Sequence, residues 1–278
     1  MLQISELYIY PIKSLGGIAV KQAAVTDRGF EHDRRWMLVD ENNRFITQRQ
    51  VPEMALLRVS IENEGLCVTH KTKNDSITIP FACCSANREA VTIWDDNCLA
   101  EFVSEEADNW FTTMLGIDCR LVHMPDDTRR QVDQNYAPAG AVTSFSDGYP
   151  YLIIGQATLD DLNSRLDQAL PVNRFRPNIV FTGGEPYEED RLAHFVINNI
   201  SLYGVKLCGR CIIITIDQDK ALKGKEPLKT LSSYRSKNNN TYFGQNLVHK
   251  GEGVISIGDI LHPISLNYDE RFIIKTPV

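Results

Sequence analysis

The sequence predicts a mainly β protein with a few helices, an α+β fold built on barrels or sandwiches. Three observations carry that. Short apolar and β-branched runs recur along the whole chain, separated by turn signals. Only two segments carry apolar residues at helical spacing. The longest polar stretch, 124–141, is rich in Asp, Pro, Gln and Arg and divides the chain into 1–124 and 125–278.

The N-terminal run 2–10 alternates apolar and polar residues and reads as a strand. Residues 35–39 and 44–47 flank Asp40-Glu41-Asn42-Asn43 and read as a hairpin. Further strands are expected at 56–61, 66–69, 76–79, 91–94 and 99–103. Ser104 is an expected N-cap, with Glu105 and Glu106 in the first turn. Ala107, Trp110, Phe111, Met114 and Leu115 form its apolar stripe, and Gly116 ends it. A second helix is expected from Thr158 to Ala169, with Leu159, Leu162 and Leu166 on one face and Pro171 beyond its end. Strands return at 178–182, 194–197, 200–207, 212–216, 242–248 and 254–257, and 220–230 and 236–240 read as loops.

With 278 residues, 43% hydrophobic and 23% charged, the chain can bury a sizeable core. A net charge of −7 without a basic tail argues against a nucleic-acid polymer as partner. No apolar run reaches membrane-span length and the N-terminus lacks the build of a signal peptide, so a cytoplasmic protein is expected. The seven Cys are odd in number and irregular in spacing, which speaks against a disulfide framework. Cys67, Cys83, Cys84, Cys98 and Cys119 read as structural thiols.

Cys208-Gly209-Arg210-Cys211 stands apart. A thiolate is the softest ligand a protein offers, and here it lies beside an arginine, in front of the β-branched run Ile212–Ile216. That suits a metal cofactor with anionic groups. It suits a thiol–disulfide exchanger poorly, because exchangers place C-x-x-C at a helix N-terminus. A zinc site would need a second ligand pair, and the sequence has none at the usual spacing. Lys13-Ser14 lacks the glycines of a P-loop. Basic residues in constrained settings recur at Lys13, Arg34, Arg176, Arg210 and Arg235. Guanidinium forks match phosphate bidentately, but composition alone does not bring these residues together. The six His show no catalytic clustering, and His32 reads as structural.

Taken in order, several segments resemble the MOSC family. Leu7-Tyr8-Ile9-Tyr10-Pro11-Ile12-Lys13-Ser14 and Asp33-Arg34-Arg35-Trp36-Met37-Leu38 are similar to its N-terminal β-barrel domain. Ser146-Asp147-Gly148-Tyr149-Pro150, Phe175-Arg176-Pro177-Asn178, the Cys208–Cys211 motif, Glu226-Pro227-Leu228-Lys229-Thr230-Leu231 and Phe243-Gly244-Gln245-Asn246 are similar to the MOSC domain itself. The amidoxime-reducing component and bacterial YcbX-type proteins are the family members it most resembles.

The resemblance implies a MOSC N-terminal β-barrel domain at 1–124 and a MOSC domain at 125–278. It implies a molybdenum cofactor of the molybdopterin type, with Cys211 as metal ligand and no pyridoxal phosphate. Lys13, Ser14, Arg34, Arg176 and Arg210 match positions that hold the cofactor's phosphate and pterin, and Ser146, Asp147 and Asn178 match positions at the same pocket. Cys208, Gly209 and Arg235 complete the implied set. Cys208 reads as a structural thiol or a neighbour of the ligand. Asp147 reads equally as a proton relay or as a turn cap. Relatives commonly carry serine in place of Gly209, so one cofactor hydrogen bond is expected to be missing.

The implied activity is reduction of N-hydroxylated compounds such as amidoximes, hydroxylamines and N-hydroxylated bases. The ferredoxin-like domain and the membrane anchor found in some relatives are absent from this sequence. Electrons are therefore expected from a separate ferredoxin, or from another iron–sulfur or flavin-linked protein. The alternative from another class is a carrier of the cofactor, or of persulfide sulfur on Cys211.

Overall fold

The computed structural model describes residues 1–63, 65–82 and 87–274. Cys83 and Cys84 lie outside the described residues. Seven strands close into a barrel: β1 (Leu2–Ile9), β2 (Tyr151–Gly155), β3 (Ile179–Thr182), β4 (Leu192–Ile197), β5 (Ile200–Gly209), β6 (Asn240–Lys250) and β7 (Ile260–Leu266). Their order around the wall is β2–β3–β1–β7–β4–β5–β6, and β6 pairs with β2 to complete the ring. Closure leaves these strands no free edge. The β2–β3 pair is parallel and the other pairs are antiparallel.

β1 shows how the sequence sets the wall. Leu2 and Ile4 point inward, then a bulge between Ile4 and Glu6 shifts the phase so that Leu7 and Ile9 point inward too. They meet Tyr151, Ile153, Phe181, Phe195, Leu202 and Leu247 in one apolar core. The chain's first strand thus belongs to a sheet built, apart from the short strand Ile18–Val20 beside it, from residues 151–266. Strand Gln22–Thr26 likewise pairs with Gly253–Ser256.

The remaining N-terminal strands form a four-stranded sheet, ordered 36–39, 120–123, 96–102 and 88–93, and a three-stranded sheet over 57–62, 65–70 and 76–80. Helix α1 (Glu105–Leu115) buries Ala107, Phe111, Met114 and Leu115 between them, against Trp36, Leu38, Leu57, Leu66 and Ile77. Ser104 caps α1 through its Oγ, which accepts from the Ala107 N–H, and Gly116 closes it in the left-handed conformation. Both ends are as the sequence predicts. Helix α2 spans Gln156–Ser164 and buries Leu159 and Leu162. It starts and stops earlier than the expected 158–169. Among the described residues, no helix is long and apolar enough to cross a membrane.

Three expectations need correction. Ile212–Ile216 is not a strand: Ile212–Thr215 is one 3₁₀ turn, entered from Cys211. The barrel strand lies before the motif, not after it. β5 ends at Gly209, and the Arg210 N–H donates the last bond across to the Thr241 carbonyl (2.7 Å). Beyond that point, among the described residues, no strand continues the pairing: Ile216 makes one isolated antiparallel bridge to Lys223, and Ile214 packs beside Leu231 and Phe175. The β preference of isoleucine expresses packing on a pleated surface, which is missing here.

Residues 44–47 return alongside 38–40 as the hairpin expects, but as a short bridge rather than a full strand: Val39 is bridged antiparallel to Phe45, the Asp40 N–H donates to Arg44 O (2.9 Å) and the Ile46 N–H to Leu38 O (2.9 Å). Asp40 makes the turn, its side chain accepting from the Asn42 and Arg44 N–H groups, while strand Trp36–Val39 pairs over its length with Arg120–His123. Finally, the loop expected at 220–230 contains the start of helix α3 (Leu228–Tyr234), which buries only Leu231 and Tyr234. So few apolar positions leave little periodic signal.

Behind the wall, Glu189 and Asp190 are buried side by side. Glu189 Oε2 accepts from Thr158 Oγ1 (2.7 Å), and Asp190 pairs with Arg235 (2.5 Å). Burial, with Asp190 beside it, pushes the Glu189 carboxyl up, so it is neutral in the fold where an unfolded chain would ionise it. A raised folded-state pKa contributes stability that is lost as pH rises. Unfolding midpoints in urea should therefore fall as pH rises above about 5, and Glu189→Gln should flatten that fall.

Candidate active site

Three loops meet at one end of the barrel. β1 runs out into Tyr10–Leu15, β3 is entered from Phe175–Asn178, and β2 is entered from Ser144–Pro150. β1 lies antiparallel to β3 and β3 parallel to β2, so these exits and entries coincide. Main-chain bonds lace them to residues 34–36. The Lys13 N–H donates to Trp36 O, Trp36 N–H to Pro11 O, Arg34 N–H to Tyr10 O, and Phe145 N–H to Arg34 O. Ser14, Arg34 and Arg176 all adopt positive φ, at 68°, 50° and 56°. Each such residue costs on the order of 1–3 kcal/mol, and such outliers cluster at functional sites.

Tyr10 is the centre of the group. Its ring is fully buried, with the Arg34 guanidinium 4.4 Å and the Arg176 guanidinium 4.3 Å from its centroid. Arg34 donates to Asp33 (2.6 Å), to Asn178 Oδ1 (3.0 Å) and to the Arg176 carbonyl (3.2 Å). Arg176 donates to the Leu15 carbonyl (2.7 Å). Arg210 donates to the Phe175 carbonyl (2.7 Å) and to Cys208 Sγ (3.0 Å), which ties the cysteine motif to the same segment. Lys13 Nζ donates to Phe145 O (2.8 Å) and to Asp147 Oδ1 (2.7 Å).

The electrostatics follow from burial. Lys13 is 5% exposed; burial pulls its pKa down to about 8, against the pull of Asp147. Burial also lowers Arg176 to about 10. Asp147 loses some hydration to the groups crowded around it, but its side chain stays 64% exposed, and Lys13, Arg49 and Arg34 outweigh that loss and hold the carboxyl well below the usual carboxylate range. Asp147 is therefore ionised at neutral pH and carries no proton to give. His32 stacks on Phe81 at 4.3 Å, and burial lowers its pKa.

Of the residues singled out in the sequence, Lys13, Ser14, Arg34, Asp147, Arg176, Asn178 and Arg210 are brought together. Asn178 acts inside the group: its amide holds Arg34, the Leu152 N–H and the Tyr8 carbonyl. The Ser146 hydroxyl is turned inward to Thr143 Oγ1 (2.5 Å). Cys208 and Cys211 are half-buried free thiols at the end of β5. Gly209 faces open space: a Cβ there would come no nearer than 4.0 Å, to Tyr242. Arg235 does not join the group. It is 4% exposed, meets Asp190 and lies 4.1 Å over the Tyr187 ring, so its charge is already matched away from the loops.

Sequence reasoning missed two residues. Tyr10 is one more aromatic at the end of an alternating strand, and nothing local marks it. Arg130 lies in the polar connecting stretch, yet it is 4% exposed. It donates to the carbonyls of Ser144 (3.0 Å), Ser146 (2.6 Å) and Asp147 (3.3 Å) and pairs with Asp96 (2.9 Å). It thus fixes the loop that carries Asp147. Beside the group opens a cavity of about 590 Å³ that shares Tyr10 and Arg176 as wall and is completed by Tyr8, Gly16, Arg58 and Val172. Lys13 and Cys211 do not line it.

Two outcomes follow. Affinity of this cation cluster for a phosphate monoester should fall as pH rises through about 8, because Lys13 is cationic only below its folded pKa. Losing a charge-assisted bond costs about 1.5–3 kcal/mol, so Lys13→Gln should bind roughly tenfold or more weakly below that pH in equilibrium dialysis. Gly209→Ser should leave the urea midpoint nearly unchanged, within about 0.5 kcal/mol, since nothing crowds the new side chain.

Comparison with known proteins agrees with this architecture. Residues 1–118 match the MOSC N-terminal beta barrel domain, and residues 141–262 match the MOSC domain. The chain is 33% identical to mitochondrial amidoxime reducing component 2 of Bos taurus, over 84% of this chain and 72% of that protein. It is 31% identical to mitochondrial amidoxime-reducing component 1 of Homo sapiens, over 92% and 81%. It is also 31% identical to molybdenum cofactor sulfurase of Oryza sativa subsp. japonica, over 87% of this chain but 32% of that protein. With both domains matched in order and relatives covered over most of their length, the chain belongs to the MOSC family.

Proposed function

We propose that this protein is a molybdenum-cofactor-dependent reductase of N-hydroxylated compounds. The observation that carries the proposal is the gathering of Lys13, Arg34, Arg176 and Arg210 beside a half-buried thiol at Cys211. The residues fit such a group. Among the described residues, Arg176 Nη2 and Arg210 Nε are buried without a hydrogen-bond partner. Buried donors call for acceptors, and phosphate oxygens and a pterin edge offer them. Cys211 supplies one soft ligand of the kind molybdenum–dithiolene chemistry uses.

When bound, the cofactor supplies two-electron oxygen-atom chemistry at the metal. Reduction of an N-hydroxylated compound consumes two electrons and two protons and releases the amine or amidine and water. The chain's own residues bind and orient. Lys13 and the three guanidiniums hold anionic groups, with their forks fixed by main-chain carbonyls and Tyr10. Asp147, ionised and open to solvent, acts as an acceptor for donor groups on the substrate. Its low pKa disqualifies it as the acid. Electrons come from a separate iron–sulfur or flavin-linked protein, in a cytoplasmic setting. The likeness to a molybdenum cofactor sulfurase supports a second reading, a cofactor or persulfide carrier.

Purification from a cofactor-competent host decides between them. The reductase reading expects near-stoichiometric molybdenum and pterin, and benzamidoxime reduction with an artificial electron donor. Cys211→Ser should abolish that activity while retaining the fold by circular dichroism. Wild-type protein without molybdenum and pterin, but with a persulfide on Cys211, would overturn it in favour of the carrier.

A further inference from the structure

Trp94 is the most conspicuous residue outside the cofactor cluster. It is 43% exposed and sits at φ 55° in the two-residue turn between strands 88–93 and 96–102. Hairpins of that length normally place Gly, Asn or Asp at a positive-φ position. A large indole held there against both sterics and solvent is a feature that asks for a role. Its surroundings supply one. Its Nε1 lies 3.4 Å from Asp147 Oδ1. The Arg49 guanidinium stacks over its ring at 4.5 Å, and Phe45 braces it at 5.0 Å. Phe45 is itself pinned by its N–H to Thr92 O (3.1 Å).

The carboxylate is half used. Oδ1 takes the Lys13 and Trp94 donors, whereas among the described residues the cation recorded against Oδ2 is Arg49 Nη2 at 3.9 Å, too far for a hydrogen bond. The Asp147 side chain is 64% exposed. A planar, positively charged group therefore already rests on an aromatic face, next to an ionised carboxylate with a free acceptor. Arg49 is a guanidinium on a flexible stem, chemically close to a protonated amidine.

We propose that Trp94, Asp147 and Arg49 form a binding site for planar amidine-type heads, with the Arg49 guanidinium occupying the place such a head takes. The ligand stacks on the indole, donates to Asp147 Oδ2 and displaces Arg49 towards solvent. This rests on the reductase reading for its biological sense, since amidines are the reduced form of amidoximes. It assigns substrate recognition to a junction of the two parts of the chain, with Trp94 and Arg49 from the first and Asp147 from the second.

The test needs no cofactor. Benzamidine would be titrated into apo protein by calorimetry and by tryptophan fluorescence, with neutral benzamide as control. Wild type should bind benzamidine and not benzamide, with quenching that disappears in Trp94→Phe. Arg49→Ala removes the internal competitor and should bind benzamidine roughly tenfold tighter, whereas Asp147→Asn should bind it roughly tenfold weaker. Arg49→Ala that binds no tighter, benzamide that binds as well as benzamidine, or wild type and Arg49→Ala that both fail to bind, would each overturn the site. None of those results touches the metal and pterin content that tests the reductase reading, so the two fail separately.

Discussion

Like charges gathered in a partly buried place are the constraint on which this structure turns. Lys13, Arg34, Arg176 and Arg210 converge, and burial lowers the pKa of Lys13 and of Arg176. Two carboxylates, Asp33 and Asp147, answer part of that charge at 2.6 and 2.7 Å. Main-chain carbonyls of Phe145, Leu15, Arg176 and Phe175 answer the rest, and Tyr10 lies between two guanidiniums. Carbonyl dipoles orient a fork without cancelling its charge, so the group stays electropositive while its geometry is set in advance. That combination attracts an anion and spares it the cost of organising its own donors.

The barrel exists in service of that arrangement. Placing β1 between β3 and β7 brings residue 13 beside residues from the second half of the chain. The loops leaving β1 and entering β2 and β3 meet because those strands share one direction of travel or its reverse. A closed wall gives such loops a rigid base, and loops on rigid scaffolds are where binding residues concentrate. The price is entropic: the first strand must find partners near residues 180 and 260, contacts of high sequence separation. Positive φ at Ser14, Arg34 and Arg176 adds local strain that the surrounding bonds hold in place.

Two acids and two arginines show how context divides similar residues. Asp147 stands exposed among three cations that keep it ionised, whereas burial and an acidic neighbour keep Glu189 neutral. Arg210 and Arg235 are both basic residues singled out in the sequence. One reaches the cation cluster through Phe175, and the other is matched by Asp190 behind the wall.

The sequence by itself determined much. Alternation in β1, the Ser104 and Gly116 caps of α1, and the turn at Asp40 are local matters of period, capping and Asx chemistry, and each is where the residues place it. The order of short motifs was also enough to identify the family. Tertiary structure decided the rest. Ile212–Thr215 turns instead of extending because, among the described residues, no strand continues the pairing after Gly209. Tyr10 and Arg130 matter because of what lies across from them, not because of their neighbours in sequence. Arg235 left the candidate site because a buried carboxylate at residue 190 claimed it. Local pattern reports the energy of a residue with its own backbone. Which charges meet depends on contacts between segments far apart in sequence, 45 residues for Arg235 and Asp190 and 134 for Lys13 and Asp147, and only the closed barrel specifies those.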